Sequence, residues 1–84
     1  MKDDERLPPH LRGINAGRCA AARQRARLTQ AEAATQIYLG KASRWAEYET
    51  GLRRPDPARF ELFLLLNDLH PIYRLVRKRP QPGE

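Results

Sequence analysis

The chain has 84 residues, 40% of them apolar and 31% charged, with a net charge of +6. That length holds one domain with a modest core and leaves no room for a lidded catalytic cleft, while the basic excess points to polyanions such as nucleic acid or an acidic membrane surface. The lone Cys19 excludes an internal disulfide and a cysteine-built zinc site, the longest apolar run (62–66) is too short to cross a bilayer, and the charged start has no signal-peptide character, so a cytoplasmic protein is expected.

Residues 1–12 carry an acidic cluster (Asp3, Asp4, Glu5) and then Pro8 and Pro9, which predicts a flexible leader that joins the fold only near Leu11. A first helix is expected over 15–26, with Asn15 as N-cap and Cys19, Ala22 and Ala26 at helical spacing. Cys19 reads as a small core filler. Thr29-Gln30-Ala31-Glu32 is a capping box that opens a second helix, with Leu28 before it and a buried stripe of Ala33, Ala34 and Ile37. The small residues of that stripe admit a close neighbour helix.

A turn over 38–41 follows, with Gly40 suited to a positive φ. The third helix is expected from Lys41 or Ala42 to Thr50. Trp45, Tyr48, Glu49 and Leu52 share its inner side, and Ser43, Arg44, Ala46, Glu47 and Thr50 its outer side. Gly51 suits a left-handed stop, with Leu52 as its hydrophobic contact. Asp56 and Pro57 then cap a fourth helix, apolar nearly all round from Phe60 to Leu66. It ends near 67–69, because His70 precedes Pro71. A fifth short helix over 71–77 would present Ile72, Leu75 and Val76, and Pro80, Pro82 and Gly83 mark a loose tail. The layout is therefore a 1–12 leader, an all-α five-helix domain over 13–78 and a 79–84 tail.

Leu28-Thr29-Gln30, Ala34, Trp45, Tyr48-Glu49-Thr50-Gly51 and Arg54-Pro55 together resemble the Cro/phage-repressor helix-turn-helix family over about residues 19–69. The interval from Thr29 to Glu49 is one residue longer than the family's usual spacing, and the extra residue is assigned to the turn between Ile37 and Lys41. The resemblance implies a compact lambda-repressor-like domain that inserts its third helix in the major groove of double-stranded DNA. It also implies a structural salt bridge between Arg23 and Glu49.

An α-helix fits the major groove, and its exposed N-terminal residues reach base edges. Lys41, Ser43, Arg44 and Glu47 are the candidate base contacts. Arg44 suits the fork of guanine acceptors; Glu47 either accepts from cytosine N4 or orients Arg44. Thr29 and Gln30 at the start of the second helix, with Arg53 and Arg54 after the third, are the candidate phosphate contacts. The plainer alternative for all of these is a solvated polar surface.

The expected activity is transcriptional regulation, as a repressor binding an inverted repeat as a homodimer. Leu66, Leu69, Ile72, Leu75 and Val76 form the candidate dimer interface, although part of that set serves equally well as internal core. The competing reading is a protein-interaction module, antitoxin-like or adaptor, on the same scaffold. His10 and His70 stand far apart in sequence and are given structural or incidental roles. With no histidine–carboxylate or metal-ligand cluster visible in the sequence, no enzyme activity, metal or cofactor is expected.

Overall fold

The computed structural model describes residues 6–79; the acidic cluster at 3–5 and the tail prolines Pro80 and Pro82 lie outside them. Among the described residues all regular structure is helical. A short 3-10 turn (Pro9–Leu11) leads into α1 (Ala16–Ala26), α2 (Gln30–Gln36), α3 (Ala42–Thr50) and α4 (Pro57–Leu66).

Side-chain caps start three of these helices. Asn15 Oδ1 accepts from the Arg18 amide at 2.9 Å. Thr29 Oγ1 accepts from the Glu32 amide at 3.1 Å, and the Glu32 carboxylate accepts from the Thr29 amide at 2.8 Å. Asp56 accepts from the Arg59 amide at 3.3 Å, with Pro57 in the first turn. Each such cap satisfies a helix-end donor and stabilises by about 1 kcal/mol. Lys41 begins α3 with no side-chain cap, and the Arg44 amide turns to Lys41 O at 3.0 Å instead.

The helix ends are less orthodox. Arg27, Tyr38 and Asp68 adopt φ of 59°, 63° and 56°, the left-handed region that residues with a Cβ seldom enter. Each closes its helix with a pair of reversed backbone bonds. After α2, for example, the Leu39 amide donates to Ala34 O at 3.0 Å and the Tyr38 amide to Thr35 O at 3.3 Å. The turn between α2 and α3 thus contains two positive-φ residues, Tyr38 and the expected Gly40.

Trp45 and Phe63 are fully buried at the centre, with ring centroids 4.8 Å apart. Cys19, Ala22, Ala33 and Ala34 are small and buried, which lets α1 and α2 close on α3. α4 lies against α2 and the 3-10 turn. Burial pushes the Cys19 thiol up to about 12.

Several expectations need correction. No fifth helix forms: residues 71–79 carry no regular structure and are all exposed. Pro71 and the His70 Nδ1 that accepts the amides of Ile72 and Tyr73 at 3.1 and 3.0 Å would suit a helix start, but the residues after them stay exposed. A segment that short, without a face to bury, does not sustain a helix. Of the expected dimer residues, Leu69 packs on the core, whereas Leu66, Ile72, Leu75 and Val76 are exposed.

The expected leader joins the fold well before residue 13. Leu7 packs on the core and Leu11 is buried in it, while Arg12 Nε holds Leu7 O at 2.8 Å and Arg18 Nη2 holds His10 O at 2.7 Å. Leu52, expected to turn inward behind Gly51, is 77% exposed. The Arg53 amide instead reaches back to Glu47 O at 3.2 Å, which carries the chain outward past Leu52.

The histidines are not incidental. His10 and His70 meet edge to face, centroids 4.5 Å apart, and each Nε2 lies 3.0 Å from the same Glu61 Oε2. A histidine–carboxylate cluster that metal-site geometry allows is therefore present, contrary to expectation. Its donors fit hydrogen bonding better than metal. His70 Nδ1 accepts two amides, so its proton resides on Nε2 and is donated to Glu61; a metal would need that nitrogen's lone pair. The two imidazoles hold the Glu61 carboxyl below the usual range, His70 foremost. They also tie the 3-10 turn and the chain after α4 to one point on α4.

Candidate nucleic-acid interface

α3 owes its position to its inner residues. Trp45 and Tyr48, one turn apart, are buried, and between them they anchor the helix to Phe63 and to α1 and α2. Burying such aromatic side chains stabilises by about 1.5–3 kcal/mol each. The Tyr48 hydroxyl accepts from the Asp56 amide at 3.4 Å, which links α3 to the start of α4.

Glu49 is the polar counterpart of that anchor. Its carboxylate accepts from Arg23 through Nε and, at 3.1 Å, through Nη2, from the Trp45 indole N–H, and from Gln30 Nε2 at 3.2 Å. Arg23 Nη1 donates to Leu28 O at 3.0 Å as well. One carboxylate thus joins α1, the start of α2 and α3. Arg23 foremost, with burial opposing and Trp45 and Gln30 assisting, holds the Glu49 carboxyl below the usual range.

Gln30 is half-buried, with its amide nitrogen committed to this network rather than turned to solvent. Thr29 remains exposed, but its hydroxyl serves the cap. Of the proposed phosphate contacts, these two are therefore engaged within the protein.

The outer face of α3 carries exposed Ser43, half-buried Arg44 and half-buried Glu47, with Lys41 exposed at its entrance. Arg53 and Arg54 are exposed on the loop after the helix. Arg53 Nε donates to Glu47 Oε1 at 2.9 Å, and Arg44 Nη1 lies 3.7 Å from the same oxygen. Arg53 foremost holds the Glu47 carboxyl below the usual range, with smaller pulls from Arg44 and Lys41. Arg54 borders a shallow hollow with Asn15 and Ala16 at the start of α1.

Two residues on this side had no signal in the sequence. Tyr38 is 78% exposed in the turn before α3, projected there by its left-handed backbone. Arg59, in the first turn of α4, borders the same open groove of about 460 Å³ as Tyr38, Arg44 and Arg53. Its Nε is shielded from solvent and has no hydrogen-bond partner among the described residues. Both positions follow from the packing of α4 and the turn around α3, which periodicity does not encode.

No family model, curated protein or solved structure matches this chain.

Proposed function

We propose that this chain is a sequence-specific double-stranded DNA-binding regulator in which α2, the turn and α3 act as a helix-turn-helix. The observation that carries the reading is the division of α3. Trp45 and Tyr48 fix its back in the core, and Lys41, Ser43, Arg44 and Glu47 stand on its outer side. An anchored helix whose solvent side bears fork-shaped donors and a carboxylate suits the major groove, where base edges offer complementary acceptors and amino groups. Arg53, Arg54 and Arg59 flank it, as cations meeting the two backbone strands would. The resemblance of the Thr29–Gln30 and Glu49–Gly51 segments to phage repressors points the same way.

In this reading the protein acts as a repressor, and two copies bind an inverted repeat with half-sites one helical turn apart. The experiment is retention on a pool of random duplexes, followed by selection of the bound fraction. A recovered palindrome, with binding that falls by a decade or more between about 50 and 200 mM salt, supports the reading. Absent or salt-insensitive binding removes it.

One observation favours a second reading, a protein-interaction module. Ile72, Tyr73, Leu75 and Val76 are all more than half exposed on the irregular segment after α4. A second copy would cover them in the first reading and an unrelated protein in the second, so the mass of the free species in solution discriminates the two.

A further inference from the structure

Glu47 places a negative charge at the centre of a surface that polyanion binding would want wholly positive. Lys41, Arg44 and Arg53 surround it, and its Oε1 takes up the Arg53 Nε and attracts the Arg44 guanidinium. Folding does not call for this arrangement. The Arg53 amide already bonds Glu47 O and fixes the loop through the backbone, and exposed ion pairs of this kind add little stability.

We propose that Glu47 is the specificity-setting residue of this surface, holding Arg44 and Arg53 to itself and excluding phosphate unless a base offers its carboxylate an amino group. The inference rests on the DNA reading and deepens it. In free protein, two arginines of this side are paired to an internal anion, Arg53 through a hydrogen bond and Arg44 at ion-pair distance. The open groove that Arg44 and Arg53 border with Tyr38 and Arg59 has room for a phosphate oxygen, but the Glu47 carboxylate paired to those two arginines repels one drawn to them.

On arbitrary DNA, approach therefore sets carboxylate against phosphate, and the arginines leave one anion only to meet another. On a matching site the balance changes. Cytosine presents its N4 amino group in the major groove, which satisfies the Glu47 carboxylate directly. Arg44, one helical turn earlier on the same face, then reaches the O6 and N7 of a nearby guanine. The predicted target class is thus duplex DNA with a cytosine amino group and a guanine edge within one turn of α3. Specificity of this kind comes from penalising wrong partners as much as from rewarding the right one.

The test compares the unaltered chain with Glu47→Ala and Glu47→Gln on two probes: a random-sequence duplex and the duplex recovered by selection. Removing the charge should raise affinity for random duplex about five- to tenfold near 0.1 M salt and steepen the salt slope by about one. The preference for the selected duplex should fall by a similar factor in both variants, with thermal melting unchanged. Random-duplex affinity that stays level or falls in both variants, while the unaltered chain still selects a sequence, overturns this inference alone. No binding by the unaltered chain overturns it together with the DNA reading.

Discussion

Glu49 shows how much one side chain decides in a core this small. It gathers donors from Arg23, Gln30 and Trp45, so removing its charge strands a largely covered guanidinium. Glu49→Gln is expected to cost roughly 2–3 kcal/mol at neutral pH, read as a lowered denaturation midpoint. The pH dependence has a defined sign. A carboxyl whose folded value lies below its unfolded one stabilises fully above the unfolded value, about 4.3, and loses that contribution as pH falls through the folded one. Melting should therefore be level above about pH 5 and decline in acid, and Glu49→Gln should flatten the decline. An equally steep decline in the variant would assign the acid sensitivity to other carboxyls. Trp45→Ala tests the apolar half of the anchor: a loss of about 3–5 kcal/mol is expected, enough to leave much of a marginal domain unfolded at room temperature.

At the scale of elements, legibility followed locality. Every helix start that a short-range signal marks, at Asn15, Thr29 and Asp56, lies where the residue pattern puts it, because a cap depends on atoms three residues away. The inner residues of α3 were legible too, since Trp45 and Tyr48 mark one face by spacing alone. The left-handed stop at Gly51 was legible as well, but the three stops without glycine were not. Arg27, Tyr38 and Asp68 take the conformation usually reserved for glycine, and only tertiary packing makes them do so. The spurious fifth helix has the same origin: Ile72, Leu75 and Val76 have helical spacing but no surface to face. Similarly, Gln30 looked free at a helix start, and its partner Glu49 comes from another helix. The strain at Tyr38 is testable. Tyr38→Gly should stabilise by about 0.5–1 kcal/mol, as a higher denaturant midpoint with unchanged slope. A lower midpoint would mean that the exposed ring contributes contacts outweighing its backbone cost.

For the molecule as a whole, the cluster of His10, Glu61 and His70 adds a polar tie to the fold that the buried core closes. It joins the 3-10 turn before α1 to the chain that leaves α4, segments remote in sequence, through one carboxylate oxygen. Glu61→Ala should therefore raise amide exchange at residues 10–12 and 72–73 together, with α2 and α3 less affected. Exchange that rises at one end only would show that the two histidines are held independently. The exposed segment after α4 carries the other whole-molecule expectation. If a second copy covers it, Leu75→Asp with Val76→Asp should convert a dimer in sedimentation into a monomer without lowering helix content.

The sealed position of Cys19 has a practical corollary. Its sulfur has no access to bulk water and gives up its proton only well above physiological pH, so alkylating reagents meet it only when α1 parts from its neighbours. As the chain's one cysteine, it makes the rate of thiol labelling a count of opening events. That rate measures breathing of the core without an introduced probe, and a ligand that clamps α3 would register as slower modification of an atom it never touches.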